Sequence, residues 1–239
     1  MNFKISKTHL LEFLLGPVSK LSDNICLSFD NKTGAVKTLV TSTDNSLVLI
    51  AKLPCSTDFN EKCVIPDCKT FLRLFSNIND PEINLSICDN YVEYKSNDLS
   101  FKYHLLDESY VINKRSLSEE KINNLKFDTT FTINKRFFSE IAKFHSILPD
   151  SEKLYFYNDK RKVMAKIGDE QKANSNELTL VASNSFSGSV LTTESPINIQ
   201  NIMLMSFAED EVEVSLNHEL KVYKFSTSLV SYIAFGLVK

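Results

Sequence analysis

The chain has 239 residues, 43% of them hydrophobic and 24% charged, and a formal net charge of −3. Those proportions belong to a folded globular protein of one large or two small domains, and they exclude disordered and fibrous classes. No apolar run approaches the roughly 20 residues that span a bilayer, and MNFKISKTHLLEF places Glu12 inside its apolar stretch with no small-residue cleavage site, so neither membrane insertion nor secretion is expected and the chain is assigned to the cytoplasm.

In chain order, residues 3–5 form a short strand that leads into a helix over 6–20. Ser6 is its expected N-cap, Leu10, Leu11, Leu14 and Leu15 recur at helical spacing, and Gly16-Pro17 predicts a kink or a stop. The alternating runs ICLSF, AVKTLV and SLVLIA read as strands. Pro66 introduces a second helix over 67–76, and the strands INLSI, YVEYK and LSFKYHLL follow. The polar stretch DESYVINKRSLSEEKINN, residues 107–124, has little periodicity and reads as a connector.

Beyond it the same order returns. A strand over 127–133 precedes a helix over 134–148, with Asn134 as cap and Phe137, Phe138, Ile141, Phe144, Ile147 and Leu148 on its buried face before Pro149. Strands KLYFY, KVMAKI and ELTLVA, a helix over 197–207 introduced by Pro196, and strands VEVSL, LKVYKF and VSYIAFGLV complete it. The repetition extends to residues. FKISKTHLLEFL matches FTINKRFFSEIA through Phe3/Phe131, Ile5/Ile133, Lys7/Lys135 and Glu12/Glu140. Leu21/Leu148, Asp23/Asp150, Leu27/Leu154, Phe29/Phe156 and Asn31/Asn158 continue it, then NSLVLIA with NELTLVA and INLSI with VEVSL. The offset drifts only from 127 to 131, as expected of one duplicated domain: copies at 1–110 and 125–239, joined by 111–124.

Nothing points to catalysis. His9, His104, His145 and His218 form no H-x-x-x-H or H-E-x-x-H, no G-x-S-x-G occurs, and the five glycines form no phosphate-cradling loop. Cys26, Cys55, Cys63, Cys68 and Cys88 are odd in number, confined to the first half and without a C-x-x-C pair, which argues against a disulfide scaffold or a zinc site. No enzyme activity, metal or cofactor is expected.

A duplicated, sheet-rich and helix-poor chain of this length, with a central connector, resembles the DNA polymerase sliding clamps of T-even-type tailed bacteriophages. The resemblance covers nearly the whole chain and rests on the order of elements, not on a catalytic signature. It implies an α+β fold of two clamp domains per chain, antiparallel sheets outside and two helices per domain inside, closing as a homotrimer into a pseudo-sixfold ring around duplex DNA. It further implies non-sequence-specific DNA contact, tethering of the replicative polymerase, opening by an ATP-driven clamp loader, and capture of peptide tails from polymerase, loader and late-transcription proteins. Tyr110, Tyr232, Phe235 and Leu237 would border that peptide pocket, although the last three serve equally as core or strand residues.

Charge offers an independent test, since a ring around DNA needs basic residues toward the phosphates. The four helical stretches hold seven bases (Lys7, Lys20, Lys69, Arg73, Lys135, Arg136 and Lys143) and three acids (Glu12, Asp67 and Glu140). They sum to +4 and leave −7 elsewhere. Lys69 and Arg73 share one helical face and Arg136 and Lys143 another, placed for sequence-blind phosphate contact or, more plainly, for solvent. The fourth helix is uncharged: Asn198, Gln200 and Asn201 offer only hydrogen bonds, and Met203 and Met205 would instead pack under a strand. Two other readings fit less well. A monomeric viral processivity factor holding DNA on one face would be expected to be more basic, and a two-domain β-rich viral structural protein would leave the helix charges unexplained.

Overall fold

The structure, a computed structural model, describes residues 1–107, 109, 119–169, 176–193 and 195–237. Two compact units divide the chain, Met1–Ser118 and Glu119–Lys239.

The first unit opens with β1 (Asn2–Ser6), a π-helical segment (His9–Leu15) and α1 (Gly16–Leu21). Strands β2 (Ile25–Asp30), β3 (Ala35–Thr41), β4 (Leu47–Pro54), β5 (Ser56–Thr57) and β6 (Lys62–Ile65) follow. Helix α2 (Cys68–Ser76) and strands β7 (Glu82–Cys88), β8 (Tyr91–Lys95) and β9 (Ser100–His104) close it. All pairing is antiparallel, in the orders β5-β1-β7-β8-β9 and β4-β3-β2-β6.

The second unit repeats the scheme. It contains α3 (Glu119–Asn123), β10 (Thr129–Asn134), α4 (Arg136–Ile147), β11 (Lys153–Asp159), β12 (Lys162–Ile167), β13 (Leu178–Ser183) and β14 (Ser187–Gly188). Then come β15 (Ile197–Asn198), α5 (Ile199–Leu204), β16 (Glu211–Asn217), β17 (Val222–Ser226) and β18 (Val230–Phe235). Its orders, β14-β10-β16-β17-β18 and β13-β12-β11-β15, match those of the first unit strand for strand. Register agrees as well: Ile5 faces Ile83 and Ile133 faces Val212, the pairs that the sequence alignment equates.

Each core grows from the alternation of its strands. Phe3, Phe29 and Phe59 pack with tilted rings at centroid distances of 4.7 and 4.8 Å in the first unit. In the second, Phe156 is fully buried beneath Phe131 and Phe137 at 5.3 and 5.8 Å, with Tyr223 and Phe225 beyond at 5.9 and 6.4 Å. Phe29 and Phe156 are repeat equivalents and occupy equivalent places, each against the aromatic of its leading strand.

Three local expectations change. Ser6 is not a cap; it ends β1 opposite Glu82. Gly16-Pro17 neither stops nor ends the helix, which runs on to Leu21. The proline ring cannot occupy an unmodified α-turn, so the preceding segment widens to π geometry, and the Gly16 N–H bonds back to the Leu11 carbonyl, five residues earlier. A Cβ at Gly16 would lie 2.7 Å from that oxygen, which explains the glycine. Finally, Glu119–Asn123, inside the expected connector, forms α3 and buries Ile122 in the second unit. Strands β5, β6, β14 and β15, too short for alternation to register, were not expected.

Candidate nucleic-acid interface

Helix α2 begins at Asp67, whose carboxylate accepts the Thr70 N–H at 2.9 Å and the Thr70 hydroxyl at 2.6 Å. Those two bonds, the hydroxyl's first, hold the Asp67 carboxyl below its ordinary 3.8. The cap fixes the rotation of the helix. Cys68, Phe71 and Phe75 turn inward, and Lys69 and Arg73 stand on the opposite, exposed face. Lys69 pairs with Asp23 at 3.4 Å, both side chains largely in solvent, a contact weak enough to exchange for a phosphate. Arg73 has no ion pair among the described residues.

In the second unit the N-cap position falls on Lys135 rather than on the expected Asn134, whose side chain nonetheless accepts the Arg136 N–H at 2.9 Å from one residue further back. Helix α4 buries Phe137 and Ile141, so Arg136 and Lys143, seven residues apart, come out together on the solvent face. Neither has an ion pair among the described residues, nor has exposed Lys20 in the last turn of α1. The structure therefore presents Lys20, Lys69, Arg73, Arg136 and Lys143 as outward cations on helices.

Lys7 and Lys135 are placed differently. The Lys7 ammonium donates to the carbonyls of Ser76, at 3.3 Å, and Ile78, just past α2. That of Lys135 donates to the Ala208 carbonyl at 3.4 Å and pairs with Asp210 at 2.7 Å, in the loop after α5. Their backbone N–H groups repeat the pattern, bonding to the carbonyls of Pro81 and Asp210 at 2.8 and 2.7 Å. Each of these lysines ties the first helix of its unit to the end of the second, and the Lys135 bond lowers the Asp210 carboxyl. No sequence window reveals this, because the partners lie about 70 residues away in each copy.

The uncharged helix α5 is mostly core. Ile199, Asn201 and Ile202 are buried, Met205 is buried just beyond its end, and the Asn198 side chain caps it by accepting the Gln200 N–H at 2.8 Å. Met203 is half-buried. Gln200 alone of the three amides is exposed, and its side chain lies 3.3 Å from His145 Nε2.

Of the expected peptide-pocket residues, Tyr232 is wholly buried. Its hydroxyl accepts the Ser206 N–H at 3.1 Å and its ring meets Phe207 edge-on at 5.3 Å, so it belongs to the core and offers no surface. Phe235 and Leu237 are half-buried at the end of β18, where the Leu237 N–H bonds to the Pro196 carbonyl at 2.7 Å. Tyr110 lies outside the described residues.

Chemistry elsewhere is sparse. Burial pushes the Cys63 and Cys68 thiols up to about 12 and Cys55 to about 11, so these remain thiols at neutral pH. Among the described residues no group of three or more His, Cys, Asp or Glu is placed to hold a metal, and no helix is long and apolar enough to cross a membrane.

No protein-family model and no curated protein matches the sequence. Solved structures do match the fold. An A. fulgidus PCNA bound to the C-terminal region of FEN-1 superposes with a TM-score of 0.77 at 14% identity, covering 100% of this chain and 98% of that one. The PCNA of Thermococcus kodakaraensis gives 0.74 at 15%, covering 99% of both. The DNA polymerase sliding clamp of Bacillus subtilis gives 0.78 at 12%, and there this chain spans only 64% of the other's length. The chain therefore has the sliding-clamp fold, with antiparallel sheets and two principal helices in each of two units.

Proposed function

We propose that this chain is the subunit of a sliding clamp that encircles duplex DNA as a homotrimer and tethers a replicative DNA polymerase, as in T-even-type bacteriophages. The observation that carries the reading is the segregation of charge. In a chain of net charge −3, Lys20, Lys69, Arg73, Arg136 and Lys143 stand exposed on the helices of a duplicated clamp fold. Such side chains bind phosphate without reading sequence, which sliding requires. Lys7 and Lys135 serve the interface indirectly, by holding the helices in place. The two copies, 1–110 and 125–239 joined by 111–124, supply two sixths of the ring.

Closure would be head to tail, through sheet edges. Strands β9 and β13 each form a ladder on one side only among the described residues. Exposed Leu99 and Leu106 flank the first, and exposed Val181 lies in the second. Unpaired edges with apolar neighbours invite a partner strand, and a heterologous pairing that closes consumes every edge it creates. A closed ring converts polymerase dissociation into a local, reversible event at high effective concentration. Ring opening falls to an ATP-driven loader. Peptide tails of polymerase, loader and late-transcription proteins would dock by Phe235 and Leu237; the FEN-1 segment on the A. fulgidus protein supports a peptide mode for this fold. Host cytoplasm is the compartment this role assigns.

The test is retention on DNA. Loaded onto a nicked circular plasmid, the protein is expected to stay bound through gel filtration and to be released when the plasmid is linearised. Equal release from both forms removes encirclement. A binder using one face in that way is the alternative, and the net charge of −3 disfavours it.

A further inference from the structure

The duplication provides an internal control, because a feature present in one copy and absent from the other is not demanded by the fold. The β2–β3 and β11–β12 hairpins are such a pair. In the first unit Phe29 faces Val36, and one further pair, Asp30 with Ala35, precedes the turn. In the second, Phe156 faces Ala165 and three further pairs follow, ending at Asp159 with Lys162. The second arm therefore reaches two residue pairs further, roughly 7 Å at about 3.4 Å per residue.

The turns differ in chemistry as well. The first is held by its own acid and by Asn60, whose side-chain oxygen accepts the Asn31 N–H at 2.7 Å. Gly34 takes the left-handed conformation at φ 59°, and the Asp30 carboxylate accepts the N–H groups of Lys32 and Thr33 at 3.0 and 3.2 Å. The second carries three consecutive exposed cations, Lys160, Arg161 and Lys162, with no ion pair among the described residues and Asp159 as the nearest acid in sequence. Lys160 sits at φ 57°, where glycine or asparagine is easier, so the lysine stands there against its backbone preference. The arm is braced. The Asn158 side chain accepts the Leu191 N–H at 2.6 Å and donates to the Lys162 carbonyl at 3.3 Å.

Its base is tied to α4 through the core. Phe137, in the first turn of α4, stacks on Phe156 at 5.8 Å, and Lys160 lies four residues further along the strand, about 13 Å at ~3.3 Å per residue. The cationic tip therefore lies one short arm along β11 from the contact with the turn of α4 that carries Arg136. We infer that the Lys160–Arg161–Lys162 tip is a second phosphate-backbone contact, which prolongs the basic face of α4 along duplex DNA. This rests on the proposed DNA-binding role of that face. A braced, exposed tip of three cationic donors suits phosphate oxygens.

The experiment measures affinity for a short fluorescein-labelled duplex by anisotropy across a salt series. It compares wild type, a tip variant (Lys160→Asn, Arg161→Ser, Lys162→Thr) and a helix variant (Arg136→Ser, Lys143→Ser). Asparagine suits the positive φ, so the tip variant keeps its turn, and Lys160→Arg with Lys162→Arg is the charge-retaining control. Each lost phosphate contact flattens the slope of log K against log salt by about 0.9. A flattening of about 2 to 3 for the tip variant, with the arginine control at wild-type slope, is expected. An unchanged slope for the tip variant beside a flattened one for the helix variant overturns the tip and leaves the clamp reading intact. Two unchanged slopes overturn both. Unchanged duplex affinity with loss of binding to an oligoglutamate peptide assigns the tip to an acidic protein instead, and also overturns the inference.

Discussion

The two units share one fold and distribute their charge crosswise. In the first, the leading helix serves mainly the core: Leu10, Phe13, Leu14, Leu15, Pro17, Val18 and Leu21 are buried along it with Lys20 alone standing outward as a cation, and the paired basic face lies on α2 at Lys69 and Arg73. In the second, the leading helix α4 buries only Phe137 and Ile141 and presents Arg136 and Lys143, and the following helix is short, uncharged and largely internal. Duplication therefore preserved strand order, register and the lysine at the start of each first helix, and left free which helix carries the outward charge. What packing requires has stayed in place; what a long-range field requires has moved, since phosphates respond to the sum of nearby charges.

The strongest way to break this comparison is to remove an equivalent core residue from each unit. Phe156→Ala and Phe29→Ala each leave a cavity among several aromatic rings and are expected to cost about 3–5 kcal/mol. Urea unfolding checks this, and a large asymmetry between the two substitutions would show that the cores are not equivalent in the way their register is. Next comes the π-helical turn, which among the described residues only the first unit has. Gly16→Ala brings a Cβ against the Leu11 carbonyl and is expected to cost about 1–3 kcal/mol. Thermal unfolding reads it, and a neutral result would mean that the turn relaxes to plain α geometry.

The duplicated lysines sharpen the division between packing and field. Lys7→Met and Lys135→Met are each expected to lose about 1 kcal/mol by freeing loop carbonyls. Arg73→Ser and Lys143→Ser should stay within about 0.5 kcal/mol of wild type, as exposed positions do, and weaken duplex binding instead. Stability and anisotropy measured on the same four variants give the two columns of that comparison.

Removal of the α2 cap by Asp67→Ala is expected to cost about 1 kcal/mol at neutral pH. Because the folded carboxyl sits below its ordinary 3.8, this stabilisation is fully present above that value and is lost as pH falls through the lower, folded one. The difference between wild type and Asp67→Ala should therefore shrink in urea titrations carried toward pH 3. A difference that grows on acidification would contradict the cap.

Much of this architecture is legible in the chain itself. Alternation in ICLSF or KLYFY and helical spacing in CKTFLRLFS encode elements locally, and the Phe3/Phe131 and Ile83/Val212 equivalences become matching registers. The outward placement of Lys69 with Arg73 and of Arg136 with Lys143 follows from spacing alone. The π turn was hidden because Gly-Pro usually ends a helix, and α3 because five polar-flanked residues carry no period. The fixed roles of Lys7 and Lys135 depend on carbonyls distant in sequence. Tyr232 reads from the sequence as pocket or core alike, because an aromatic near a terminus has no local mark of burial; Phe207 and Ser206, which enclose it, come from another part of the chain. The tip at Lys160 is visible as a cationic run, and only comparison with the glycine turn of the other copy makes it informative.

The central claim, a ring built from these chains, is tested most directly by sedimentation equilibrium over a wide concentration range. A species of three times 27.2 kDa is predicted, dissociating on dilution if at all. A strict monomer at the highest concentration would contradict the ring and leave the outward helix charges to a protein that binds DNA on one face.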